Sequence, residues 1–168
     1  MSIGDAMRGV RQYYAENPAK AVAADAAAVA VVEDGLRCRA TGPNGATLVS
    51  DMPAGIGGGA SAPTPGWLMR AALANCDATV IALRAAELGI ALRTLEVTVE
   101  SVSDNRGLVG SDVAVDAGPQ RVSVRVRLAA DGVSPDRLRE VVRWAEEHSP
   151  VGDAIRRAIP VEMQVELD

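Results

Sequence analysis

Residues 51–90 read DMPAGIGGGASAPTPGWLMRAALANCDATVIALRAAELGI, and their reading decides the fold. The first part, rich in glycine and proline, is a loop. From about residue 65 to 88 the pattern turns helical. Thr64 suits the amino-terminal cap, Pro65 suits the first helical position, where its missing N–H costs nothing, and Gly89 follows the last turn. Arg70, Asp77 and Arg84 stand seven residues apart, so the charges form one narrow stripe. Everything else around the helix is apolar or small, which predicts a largely buried helix, the spine of the fold.

Within the loop, GIGGGA at 55–60 matches the letters of the dinucleotide fingerprint. That motif works only where it joins a strand directly to a helix whose amino terminus meets the pyrophosphate. Here Pro63 and Pro65 intervene, and no strand–helix–strand unit surrounds it. The stretch reads as a flexible loop, and no nucleotide cofactor is expected.

Beyond residue 90 the pattern changes period. Leu95, Val97 and Val99 alternate with Glu96, Thr98 and Glu100, and Val122, Val124, Val126 and Leu128 alternate with polar residues. Val161, Met163, Val165 and Leu167 alternate with Glu162, Gln164 and Glu166. Three half-buried strands with one wet face predict an antiparallel sheet. Acidic outer faces on two strands and a basic one on the third predict cross-strand charge pairing. Residues 103–120 read as an extended loop or hairpin. SPDRLREVVRWAEEH is a helix capped by Ser134-Pro135, and a shorter helix follows at about 150–158. Upstream, Ser2 and Asp5 form a capping box for an amphipathic helix that ends near Asn17-Pro18. Short strands follow, broken at Asp34-Gly35 and Asn44-Gly45, the second a hairpin signal. The class is α+β.

Composition narrows the function. The 168 residues carry a formal charge of −5 and four aromatics, none of them Phe, so neither a basic surface nor stacking platforms for nucleic acid are evident. Lys20 is the only lysine among 17 basic residues, which fits a GC-rich bacterial source. No stretch is long and apolar enough to span a membrane and no secretion signal is visible, so a cytoplasmic protein is expected. With two cysteines and one histidine, neither a disulfide scaffold nor a metal site is expected.

EEHSPV at 146–151 sets the lone histidine, His148, beside Ser149. Sequence neighbours do not face each other on a helix, and [ST]-P starts two other helices here, so Ser149 reads as a cap rather than a nucleophile. His148 reads as a solvated residue favoured by the helix dipole, with thiol activation as its functional alternative. Cys76 lies mid-helix among Met69, Ala72, Leu73, Thr79, Val80 and Leu83. Burial beside Asp77 favours an inert thiol, against which stands redox chemistry. Cys38, alternating with Leu36 and Ala40, fits core filling.

The order DMP, GGG, then PTPGWLMRAALANC on a long helix, followed by LEVTVES and EEHSPV, resembles the OsmC/Ohr family of osmotically inducible and organic-hydroperoxide-resistance proteins. The likeness covers roughly residues 28–167. On that likeness residues 21–168 are one OsmC-like domain and residues 1–20 an amino-terminal helical extension. The resemblance implies an α+β fold, antiparallel sheets on a long central helix, and an intertwined homodimer with sites at the seam. It also implies reduction of small organic hydroperoxides by a cysteine pair, with an external thiol reductant. Cys76 matches the attacking cysteine. The second cysteine's position is Ser149, and the Glu that follows proline in the hydroperoxide branch is Gly66. Arg37 and Arg39 lie near the region of that branch's activating arginine but match no motif. Two readings follow: a one-cysteine thiol peroxidase using Cys76, resolved by an outside thiol or by Cys38, or a non-catalytic homodimer binding a small apolar ligand. A Ser149–His148 hydrolase is a distant third.

Overall fold

A computed structural model describes residues 1–167. The helix expected from residue 65 is present as α2 (Pro65–Glu87), and it organises the rest. In chain order come α1 (Ile3–Glu16), then β1 (Val29–Asp34), β2 (Arg37–Thr41) and β3 (Thr47–Ser50) before it. After it come β4 (Leu92–Ser103), α3 (Asn105–Val109), β5 (Pro119–Ala130), α4 (Pro135–His148) and α5 (Pro150–Arg156). The fold is α+β, as the pattern of elements predicts.

Local chemistry sets the boundaries. Thr64 Oγ1 accepts from the Trp67 N–H (3.2 Å) to cap α2, and Ser134 does the same for α4 through Arg137 (3.3 Å). Ser2 and Asp5 complete the expected capping box on α1. Asn44 takes a positive φ of 57° in the turn between β2 and β3, a conformation asparagine tolerates better than most residues.

Two separate antiparallel sheets form, β1-β2-β3 and β4-β5. The β4-β5 register sets Val97 against Val126 and Glu96 against Arg127, so one face is apolar and the other carries charge pairs. Arg127 meets Glu96 at 2.6 Å and Arg125 meets Glu100 at 3.6 Å. These exposed pairs favour the register and add little stability. The apolar face packs on α2 and α4, whose Ile81, Val80, Ala85, Val141 and Ala145 form the core, edged by Leu95, Val97, Val126 and Leu128.

The structure corrects three expectations. The third strand is absent: residues 161–167 are irregular and have no ladder partner. Val161, Met163, Val165 and Leu167 are 73–89% exposed. Their alternation needs a sheet edge, and among the described residues no strand of either sheet pairs with them. Residues 103–120 contain the short helix α3, and β4 and β5 each run to 12 residues, longer than the alternating cores. Finally, α2 is half-buried rather than engulfed, with only Leu73, Val80, Ile81 and Ala85 fully inside. Among the described residues the β1-β2-β3 sheet makes no extensive packing against a helix, and Val29, Val31, Val32 and Leu48 on it stay exposed.

The amino-terminal helix docks on the far end of α2. A Cβ at Gly4 would stand 2.8 Å from the Ala86 carbonyl oxygen, so the absent side chain allows the close approach. Arg11 then pairs with Glu87, which also receives Arg84 (2.7 Å). Burial pushes the Glu87 carboxyl up, and the hydrogen bonds from Arg84 and Arg11 more than reverse it, holding it below its ordinary value. The Arg84 guanidinium lies 4.7 Å from the Trp144 ring centre, and His148 stacks on that ring at 3.9 Å.

Candidate functional site

Cys76 and Ser149, 73 positions apart in sequence, meet in space. Cys76 sits mid-way along α2, half-buried. Ser149 sits where α4 gives way to α5 and is fully buried. Its hydroxyl donates to Cys76 Sγ (3.3 Å) and accepts from the Gly152 N–H (3.1 Å). The second bond is the cap of α5, with Pro150 at the first helical position, as expected for a third [ST]-P start. Gly152 keeps this corner tight: a Cβ there would come within 3.0 Å of Ser149 Oγ.

A cavity of about 300 Å³ lies near the pair, lined by neighbours of Cys76 and Ser149 but by neither residue itself. Leu73 and Asp77 of α2 and Gly152 of α5 line it beside the site, and Val122, Val124 and Val126 of β5 form its apolar floor. It is apolar on most sides, with Asp77, Glu146 and Arg156 at its edge. Such a space suits a small apolar molecule with a polar reacting end.

His148 takes no part. Its Nδ1 is hydrogen-bonded to the Trp144 carbonyl oxygen (2.7 Å) and its ring stacks on Trp144, which leaves the Ser149–His148 dyad without its required hydrogen bond. Cys38 lies on β2, its Sγ 3.9 Å from the Leu36 carbonyl oxygen, and both thiols are free. Arg37 and Arg39 are both engaged by Glu33 (3.3 and 2.5 Å), and Arg37 also donates to Ser61 Oγ (2.7 Å).

The GIGGGA loop differs from the floppy segment expected. Buried Asp51 gathers it, accepting from the N–H groups of Met52 (2.7 Å), Gly59 (3.3 Å) and Ser61 (2.9 Å) and from the Ser61 hydroxyl (2.7 Å). Gly58 could carry no side chain, since a Cβ would fall 1.9 Å from the Met52 carbonyl oxygen. Within 55–60 the Gly59 N–H is thus committed to the Asp51 carboxylate, and those of Ile56, Gly57, Gly58 and Ala60 to backbone carbonyls of residues 52–54, so they are not free for a nucleotide phosphate. Pattern reading missed Asp51. The signal was present as an acid opening a run of glycines and serines, whose free N–H groups need an acceptor.

Hydrogen bonds from the Ser61 N–H and hydroxyl, helped by Met52 and Gly59, hold the Asp51 carboxyl at about 2, below its ordinary 3.8. A depressed acid stabilises the fold above its unfolded value and loses that contribution as pH falls through the folded one. The stabilisation is therefore complete above about pH 4 and lost on acidification toward pH 2. Asp51→Asn should lower the thermal midpoint at neutral pH by several degrees and flatten its decline between pH 4 and 2. Parallel curves for the two proteins across that range would show that Asp51 does not organise the loop.

Relatives among solved structures agree with this architecture. An OsmC-like protein from Mycoplasma pneumoniae superposes with a TM-score of 0.69 at 14% identity, covering 82% of this chain and 91% of that one. An OsmC-like protein of unknown function from Vibrio cholerae gives 0.65 at 11% identity, covering 79% and 94%. An organic hydroperoxide resistance protein from Legionella pneumophila gives 0.56 at 23% identity, covering 77% and 89%. No curated relative matches in sequence. Among the described residues no helix is long and apolar enough to cross a membrane. The family model for OsmC-like proteins matches residues 57–164, which contain α2, both strands of the second sheet and the Cys76–Ser149 contact, and the chain therefore belongs to the OsmC-like family.

Proposed function

We propose that the protein is a one-cysteine thiol peroxidase acting on small organic hydroperoxides. The observation that carries this reading is the contact of half-buried Cys76 with Ser149 beside an apolar cavity. The Cys76 thiolate attacks the terminal peroxide oxygen. The O–O bond breaks, the alkoxide takes a proton and leaves as the alcohol, and the sulfur becomes a sulfenic acid. Ser149 has no thiol to condense with it. An external dithiol therefore attacks the sulfenic sulfur, water leaves, and the second thiol of that reductant releases Cys76 as a thiol. Ser149 is a positioning residue, since its hydroxyl meets the sulfur while it caps α5.

The active species is a homodimer. A compact folded chain of 17.4 kDa exposes about 7,900 Å² by size scaling. This chain exposes 12126 Å². The excess of about 4,000 Å² per chain, about 8,000 Å² for a pair, is more than the roughly 2,000–5,000 Å² in total that obligate dimers commonly bury, so a second chain can cover only part of it. Apolar residues of the first sheet and of the 161–167 segment supply much of it.

The test is hydroperoxide consumption. With cumene hydroperoxide and dithiothreitol, wild type should consume peroxide, and dimedone should trap a sulfenate on Cys76. Cys76→Ser should lose at least about a hundredfold in rate, the scale expected on removing a covalent nucleophile. The alternative, a non-catalytic dimer that binds an apolar ligand, is favoured by the same 300 Å³ cavity. An inert wild type with no dimedone adduct at Cys76 would leave that alternative standing.

A further inference from the structure

We propose that a second cavity, at the amino-terminal end of α2, binds the carboxylate of an aliphatic acid. It has a volume of about 470 Å³ and lies between the start of α2, the end of β4 and the segment holding α3. That volume falls within the roughly 300–1,000 Å³ range of small-molecule sites. Met52, Ile56, Met69, Leu108 and Val109 give it apolar walls, and Arg70 is its one charged lining residue.

Arg70 differs from the other arginines around the core. Arg84 has Glu87, and Arg127 has Glu96. Arg70 is half-buried and donates from one terminal nitrogen to Ser101 Oγ (3.0 Å). Among the described residues its guanidinium meets no carboxylate. A guanidinium removed from water gains most from a planar two-oxygen partner that takes two parallel N–H bonds. The Nε–Nη2 edge, which the Ser101 bond leaves free, has that geometry. A single cation on an apolar wall thus selects one anionic head with an aliphatic tail.

Gly66 leaves room on the Nη1 side of the Arg70 guanidinium, the nitrogen that Ser101 holds. A Cβ there would stand 3.9 Å from the nearer Arg70 terminal nitrogen and equally far from Thr64 Oγ1, with nothing closer. A side chain at 66 would therefore fit without clash and would grow toward the guanidinium. Position 66 is also in the first turn of α2, where an acidic residue is favoured by the helix dipole. Cys76 is not among the lining residues, so this site stands whether or not the thiol is redox-active.

Calorimetric titration of the full-length protein with octanoate, octanol and acetate tests the assignment. Octanoate should saturate at one site per chain, with octanol and acetate each weaker by about tenfold or more, because each lacks one half of the recognition. Arg70→Gln should weaken octanoate to the level of octanol. Gly66→Glu, which supplies an internal carboxylate, should abolish octanoate binding with an unchanged far-ultraviolet circular dichroism spectrum. Octanol binding as tightly as octanoate, no saturable octanoate binding, or full octanoate affinity in a folded Gly66→Glu protein would each overturn the proposal.

Discussion

Ser149→Cys, treated with one equivalent of hydroperoxide, is expected to lose both thiols at 76 and 149 and gain a disulfide between them. The hydroxyl oxygen of Ser149 already lies 3.3 Å from Cys76 Sγ. A disulfide needs about 2.05 Å between sulfurs, and a longer C–S bond with small side-chain rotations closes most of the difference. The replacement loses the serine cap of α5, which costs about 1 kcal/mol, and gains a resolving thiol at very high effective concentration. Sulfenate resolution should then outrun attack by a dilute external thiol by at least about a hundredfold. Overoxidation of Cys76 to sulfinic acid under excess peroxide should fall accordingly. Alkylation followed by mass spectrometry reads both results. Free thiols persisting at both positions after peroxide would sink the idea that this corner can close a redox pair.

Removing residues 160–168 is expected to shift the protein from dimer to monomer in sedimentation velocity at micromolar concentration. Val161, Met163, Val165 and Leu167 alternate along the segment and are nearly fully exposed. Burying each against a second chain is worth about 1.5–3 kcal/mol, and ladder hydrogen bonds to a sheet edge would satisfy their backbone groups. Even after the cost of association, losing four such anchors per chain is a large fraction of a dimer's free energy. The truncated protein should also bind a hydrophobic dye more strongly, because the surface that receives the segment is uncovered. A truncated chain that remains dimeric would place the seam elsewhere, on α1 or the first sheet.

What the sequence disclosed follows the range of the interactions. The span of α2 was readable because Thr64, Pro65 and Gly89 act on their immediate neighbours, and the same holds for Ser134-Pro135 and Ser149-Pro150. The β4-β5 pairing was readable because alternation and opposite outer charges agree. The approach of Cys76 to Ser149 was not readable from either segment's chemistry, and only resemblance to the OsmC/Ohr pattern joined them. Long-range effects stayed hidden. Alternation at 161–167 states a preference for strand but not which edge will satisfy it. The composition of GIGGGA implies freedom, while the Asp51 carboxylate removes it through contacts eight and ten positions away. Arg84 has Glu87 three residues on along the same helix, a pairing the letters do show, whereas the Arg70 contact with Ser101, 31 positions away, was not readable.

The first helix is wired to the far side of the molecule. Arg11 shares Glu87 with Arg84, Arg84 rests on Trp144, and Trp144 stacks on His148, the residue directly before Ser149. Loss of Arg11 would leave Glu87 to the single guanidinium of Arg84, the group that lies over Trp144. A trimmed or bulky leading segment is therefore a poor choice of handle for purification, because the first helix joins a line of touching side chains that ends one residue before the serine facing the sulfur.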